Sequence, residues 1–259
     1  MSISKKILRV KIGVKKVVLI FDNGDKFEIL PNTYTEYNFF PGKALSKKDI
    51  DVIKFNDEIG KYLEYSTKLL ASKAYSKHQL KEKLIKKGAK EAQIEAIIDR
   101  LVKYQLLDDK EVIKDFLDYA NYKHFGYNKI KDELSKKGIS SIYIEKIKYD
   151  EDREIKHASI LLEGYIKKYS RYNYYQTKRH IYEALLRQGY TYDVATKVCE
   201  KLPPLDEKKE FELLKVDYQK AKKKYEGKYG PYETIDKISE YLMQKGYRYK
   251  DIAKLKEKK

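Results

Sequence analysis

A chain of 259 residues with 57 lysines and arginines against 40 aspartates and glutamates has a net charge of +17, which suits a long polyanionic partner such as nucleic acid or a nucleoprotein filament. Its one cysteine, Cys199, excludes an intrachain disulfide framework and fits a reducing cytoplasm. The longest purely apolar run, Val17 to Phe21, is too short to span a bilayer, and no signal-peptide pattern follows Met1, so a soluble cytoplasmic protein is expected. The charge is spread evenly, with 31 basic against 22 acidic residues over 1–150 and 26 against 18 over 151–259. Only seven of the basic residues are arginine, so composition drift from an AT-rich genome competes with a functional origin.

From Ile7 to Leu30 the pattern is extended. Val10, Ile12 and Val14 alternate with Lys11, Gly13 and Lys15, and apolar runs flank Asp22-Asn23-Gly24-Asp25, whose Asn-Gly supplies the positive φ angles of a tight hairpin. A small antiparallel sheet of two or three strands is predicted. It must lean on a helix, placed after Pro41-Gly42 with Ser46 as N-cap and Ile50, Ile53 and Phe55 as its apolar stripe.

From Asn56 onward nearly everything has helical period. Tyr62, Leu69, Leu70 and Ala74 open the pattern. Ser76 with Gln79 forms a capping box, Leu80, Leu84 and Ile85 face inward, and Gly88 closes the helix. A second helix carries Ile94, Ile97, Ile98 and Leu101. After Leu106-Leu107, a capping box of Asp108 and Glu111 opens a third through Ile113, Phe116, Leu117 and Ala120. The plan recurs with Ile130, Leu134, Gly138, Ile142, Ile144 and Ile147, then a long helix from Ile155 to Ile166. It recurs again with Ile181, Leu185, Gly189, Val194 and Val198, a stop at Pro203-Pro204, and Phe211 to Ala221. Ile238, Leu242, Gly246 and Ile252 begin an incomplete fourth copy.

Glycines about fifty residues apart at matching offsets mark an array of similar units. The expected fold is mainly α: tandem three-helix repeats stacked into an elongated curved array behind a small N-terminal antiparallel β-sheet, the whole a monomer. Expected bounds are 1–55 for the β-rich part, 56–124, 125–172 and 173–228 for the three repeats, and 229–259 for the partial fourth. A three-helix unit of fifty residues buries little alone, so stacking supplies the missing burial.

No catalytic set is present: no phosphate loop, HExxH, Cys-x-x-Cys or GxSxG. No cofactor is expected. Glu154-x-x-His157 has the spacing of a carboxylate-bridged metal helix but lacks the second pair and the facing glutamates that such chemistry needs, so no metal is expected and a solvated helix face is. His78, His124, His157 and His180 look scattered, in surface or capping roles, and Cys199 beside Val194 and Val198 reads as a buried inert thiol.

Two surfaces are candidates for binding. In Lys167-Lys168-Tyr169-Ser170-Arg171-Tyr172-Asn173-Tyr174-Tyr175 with Lys178 and Arg179, cations can meet phosphates while rings stack on bases or on a protein. The same tyrosines could instead fill repeat junctions with their hydroxyls at the rim. The pairs Lys86-Lys87 and Lys136-Lys137 recur at one offset and would form a stripe. The helix dipole favours cations at helix ends and accounts for them equally well.

The run from Tyr75-Ser76-Lys77-His78-Gln79-Leu80 through Lys87-Gly88, then Ile94 to Leu101, then Leu106-Leu107-Asp108-Asp109, resembles the RecX family, bacterial regulators of the RecA recombinase. Phe125-Gly126-Tyr127 with Ile130, Leu134, Lys137 and Gly138 is similar to that family's second repeat, and the likeness extends over about 60–200. The front sheet and the helix after Ser46 look like the extra N-terminal part of longer members. The resemblance implies a regulator of homologous recombination and DNA repair, tied to the SOS response. Its partner would be the RecA recombinase or its DNA filament, whose activity it would limit, with direct contact to single- or double-stranded DNA. The alternative is a nucleic-acid-binding helical-repeat protein not dedicated to a recombinase.

Overall fold

A computed structural model describes residues 4–257. The chain forms two compact units, one of residues 1–116 with 135–140, the other of residues 117–134 with 141–259.

The first unit begins with β1 (Lys5–Ile12), β2 (Val17–Phe21) and β3 (Lys26–Ile29), joined by β4 (Ala44–Leu45) in the antiparallel order β3-β2-β1-β4. The hairpin turn is present, but Gly24 alone takes a positive φ, +86°; Asn23 does not, because Gly24 N closes a turn back to Phe21 O and Asn23 Oδ1 accepts from Asp25 N at 3.1 Å. One face of the sheet buries Ile7, Val17, Leu19, Phe21 and Ile29 against Phe39, Leu45 and Ile53; each such side chain contributes about 1.5–3 kcal/mol when fully removed from water. Ser46 caps α2 (Lys47–Ser72) through a reciprocal box with Asp49. Two elements add to the expected sheet and helix: α1 (Pro31–Tyr37) and the two-residue β4. Buried Asp57 ties α1 to α2 by accepting from Leu30 N at 2.6 Å and Thr33 Oγ1 at 2.8 Å while pairing with Lys61. Phe55 departs from its expected place in the stripe and is 38% exposed, because Ile53, Asp57 and Ile59 take the buried side of α2. Ala74 lies past the end of that helix.

The α2 helix also carries Ile59, which packs with Leu80 and Leu84 of α3 (Lys77–Lys86), Ile94, Ile97 and Leu101 of α4 (Glu91–Lys103), and Leu107. The Ser76–Gln79 box is formed in both directions. Ile85, expected inside, is 53% exposed, since one turn of a short helix presents only one side to its neighbours. In α5 (Asp109–Tyr122), Asp108 takes the amide of Lys110 rather than that of Glu111.

The second unit contains α6 (Tyr127–Lys136) up to Leu134, α7 (Ser141–Ile144), α8 (Glu151–Tyr169), α9 (Tyr174–Arg187), α10 (Tyr192–Glu200), α11 (Glu207–Tyr225), α12 (Pro231–Gln244) and α13 (Tyr249–Glu257). One core joins Ala158, Leu162, Ile181, Leu185, Tyr190, Val194 and Val198; another joins Leu214, Ala221, Ile238, Leu242, Tyr247 and Ile252. The helix expected through Ile142, Ile144 and Ile147 is a single turn, with Ile142 65% exposed and Ile144 buried. Two β-branched residues in four positions lower its helix propensity.

The recurring glycines have two causes. Gly88, Gly138, Gly189 and Gly246 close α3, α6, α9 and α12 at positive φ, and after three of them the next amide returns to the leucine carbonyl five residues back: Ala89 to Leu84, Tyr190 to Leu185 and Tyr247 to Leu242. The carbonyl just before the glycine then receives the N-terminus of the preceding repeat's first helix. Ser76 Oγ donates to Lys137 O within the first unit. Within the second, Gly126 N donates to Gln188 O at 2.9 Å, and Asn173 Nδ2 to Lys245 O at 2.7 Å. A Cβ on Gly189 would overlap the backbone of Lys129, and one on Gly126 would overlap Gly189 and Tyr190.

Each repeat also latches its own first helix. The first amide of α3, Lys77 N, donates to Asp109 Oδ1 at 2.9 Å; Tyr127 N of α6 donates to Glu154 Oε2 at 2.9 Å; and Tyr174 N of α9 donates to Glu210 Oε2 at 3.0 Å. A carboxylate at a helix N-terminus satisfies an orphan donor and complements the dipole.

Candidate functional site

The tyrosine-rich segment spans the end of α8, a short turn and the start of α9. Asn173 is buried and caps α9 through Gln176 N at 2.8 Å, while Thr177 Oγ1 donates to Tyr169 O at 3.0 Å. These bonds fold Tyr169 and Tyr172 onto His180, with ring centroids 5.3 and 4.7 Å away. Tyr165 and Tyr169 pack on the repeat core, and burial pushes the Tyr165 hydroxyl's pKa up. Tyr172 and Tyr174 are half-buried and line a cavity of about 230 Å³ with Thr177, Leu202, Pro203 and Glu210, whereas Tyr175 is 42% exposed.

The cations of this segment lie outside the rings. Lys168 sits over Tyr169 at 5.3 Å, and Arg171 sits over Tyr172 at 4.9 Å while donating to its hydroxyl at 2.9 Å. Lys167 pairs with Glu163 at 2.7 Å and Arg179 approaches Glu183 at 3.9 Å. Lys178 is half-buried, and its carbonyl faces the thiol of Cys199. Lys168 over Tyr169 and Arg171 over Tyr172 thus form two cation–ring pairs whose rings lie 6.4 Å apart. Exposed ion pairs such as Lys167–Glu163 hold their partners weakly.

The two lysine pairs divide by position. Lys86 and Lys136 are exposed. Lys137 is half-buried, its ammonium 5.4 Å from the Phe116 ring and its carbonyl taken by Ser76. Lys87 is exposed and lies over Tyr65 at 5.3 Å. The corresponding residues of the later repeats, Gln188 and Lys245, likewise give their carbonyls to a docking helix, and Lys245 also pairs with Asp217 at 2.9 Å. The second position of the pair therefore has a structural task wherever a repeat docks on it.

Two expectations change. Glu154 does not sit on a solvated face: it is 1% exposed, and burial raises its carboxyl pKa against the amide of Tyr127 and nearby Arg153. His124 and His157 are not scattered but meet edge to face at 5.2 Å, and burial, then Arg153 and His124, lower the His157 pKa. The cause in both cases is α8, whose inner side packs against the loop before α6, a contact between residues far apart in the chain. Among the described residues no cluster of three or more His, Cys, Asp or Glu side chains could hold a metal ion. Cys199 is buried with its pKa raised by that burial. Among the described residues no helix is long and apolar enough to cross a membrane.

The family model described as RecX, first three-helix domain, matches residues 63–101, which cover the end of α2, α3 and most of α4. A regulatory protein RecX of Lactococcus lactis subsp. lactis is 27% identical over 240 residues, covering 90% of this chain and 89% of its own length. One from Bacillus licheniformis is 27% identical over 250 residues, 93% of each. Among solved structures, a crystal structure of regulatory protein RecX superposes with TM-score 0.63 at 18% identity, covering 76% of this chain and all of that one. RecX from Lactobacillus salivarius superposes with TM-score 0.51 at 25% identity, covering 57% of this chain and 97% of that one. A matched first three-helix domain, regulatory relatives running along most of the sequence and a shared helical fold all point the same way: this chain is similar to RecX family proteins over most of its length.

Proposed function

We propose that the protein regulates homologous recombination by binding the RecA recombinase or its DNA filament and limiting its activity. The observation that carries this is the pair of exposed cations, Lys168 and Arg171, each set over a half-buried tyrosine ring, on a chain whose relatives are named regulatory proteins. Cations meet phosphates or acidic side chains, and Tyr175 offers an exposed ring for stacking. Lys86 and Lys136 add charge at helix ends. No step of this role needs a reacting group on the protein, which acts by occupying the filament.

The test is strand exchange and ATP hydrolysis by the cognate recombinase with substoichiometric protein added. Inhibition at ratios far below the number of DNA sites is expected, and its absence turns the assignment to direct nucleic-acid binding, which the Arg171–Tyr172 stack also suits. In that case affinity for bare DNA should fall steeply and uniformly with salt. Changing Lys168, Arg171 and Lys178 to Glu should weaken inhibition about tenfold or more with unchanged thermal unfolding. Equal inhibition by this variant removes the patch from the interface.

A further inference from the structure

The β1 strand is paired along one side and open along most of the other. On its β2 side the register runs from Ile7 opposite Phe21 to Ile12 opposite Val17, with an irregularity between Ile7 and Arg9. On the other side β4 pairs only with Lys5 and Lys6, and the chain just before β4 satisfies Ile7: Ile7 N donates to Lys43 O at 2.9 Å, and Gly42 N donates to Ile7 O at 2.7 Å. Beyond Ile7 no strand pairs with that edge among the described residues.

The hydrogen-bond phase fixes which groups are left over. Gly13 N donates to Lys16 O across the turn, and in antiparallel pairs bonded and non-bonded positions alternate. Arg9 and Lys11 therefore direct their amides and carbonyls to β2, and Val10 and Ile12 direct theirs to the open edge. The same two residues stand opposite Leu19 and Val17, both fully buried, so their side chains lie on the core face. Val10 packs against the sheet core, but Ile12 is 68% exposed. A strand added here would satisfy both backbones and cover Ile12 at once.

Charge selects the occupant. Arg9 and Lys11 are exposed on the opposite face, Lys15 stands at the adjoining turn, and the nearby carboxylates Asp25 and Glu28 are held by Lys5 and Lys16. A second copy of β1 would set arginine and lysine against their like, which is destabilising across strands, and edge lysines discourage indiscriminate pairing. We infer that the β1 edge from Leu8 to Ile12 is a docking site for an extended acidic segment of a partner protein. Its apolar residues would continue the core face beside Val10 and Ile12, and its aspartates or glutamates would face Arg9 and Lys11.

The experiment uses the full chain and a soluble synthetic heptapeptide of alternating glutamate and valine, with amide hydrogen exchange as readout. Exchange at Val10 and Ile12 should slow about tenfold or more, while Val194 and Val198 inside α10 are unchanged. A lysine–valine peptide, and the glutamate peptide N-methylated at its pairing amides, should give no slowing. The double variant Arg9→Glu, Lys11→Glu changes only exposed side chains and should reverse the preference toward the lysine peptide. No slowing at Val10 and Ile12 with the glutamate peptide, or equal slowing with all three peptides, overturns the inference. No recombinase is present in this assay, so its outcome is separate from that of the proposed function.

Discussion

At Gly189 the docking helix arrives with backbone, whereas at Gly246 it arrives with side chains. Gly126 and Asn128 give their amides to the carbonyls of Gln188 and Gly189, and the Tyr190 hydroxyl reaches the carbonyl of His124 at 2.7 Å. At the later joint, Asn173 reaches Lys245 O through its amide side chain, and the Tyr247 hydroxyl and Lys245 ammonium share Asp217. A backbone joint forbids any side chain between the partners. A side-chain joint leaves more space, a Cβ on Gly246 standing 3.0 Å from the Cβ of Tyr175, but depends on the state of an ionisable group.

The comparison breaks most sharply at glycine. Gly189→Ala combines left-handed strain with backbone overlap and should cost about 4 kcal/mol or more, whereas Gly246→Ala should cost about 1–3 kcal/mol. Urea unfolding of the two variants checks the order, and equal losses would mean that the joints do not differ in closeness. Next in size, Leu134→Ala and Leu84→Ala remove fully buried side chains and should each cost about 2–5 kcal/mol; near-neutral thermal unfolding would show that neither anchors its repeat.

Asn173→Ala sharpens the contrast, since it deletes a cap and leaves the Lys245 carbonyl unmet, for about 1–3 kcal/mol. Amide exchange at Tyr247 should rise with it while that at Tyr190 stays put. The smallest effect is that of acid. Burial pushes the Asp217 carboxyl pKa up, but the bonds from Lys245 and Tyr247 outweigh it and hold the carboxyl below its usual value. A carboxylate with a depressed folded pKa stabilises above its unfolded value and loses that contribution as pH falls through the folded one. Denaturation between pH 5 and pH 2 should therefore weaken the Gly246 joint in the parent chain, with a shallower acid slope in Asp217→Asn.

The joints explain which parts of the fold could be read in one dimension. The Ser46 and Ser76 caps, the glycine stops and the inward Leu80, Leu84, Ile130 and Leu134 act within a few residues of themselves, so local pattern reveals them. Ser76 to Lys137 and Asn173 to Lys245 join residues 61 and 72 apart, and nothing local marks Lys137 or Lys245 as an acceptor. The same limit hid Glu154, charged and inside, and the meeting of His124 with His157. It also hid β4, whose two residues are a strand only because Lys5 and Lys6 lie beside them. In the tyrosine segment, sequence offered both core and surface; packing against the repeat core assigns Tyr169 to the first, exposure assigns Tyr175 to the second, and Tyr172 and Tyr174 are half-buried between them.

Cys199 gives the molecule a built-in gauge. As the lone sulfhydryl of the chain, closed off among Val194, Val198 and Ile181, it can meet an alkylating dye only when α8, α9 and α10 part. The rate of labelling without denaturant therefore times the breathing of that bundle alone, and any ligand that clamps it would slow the dye.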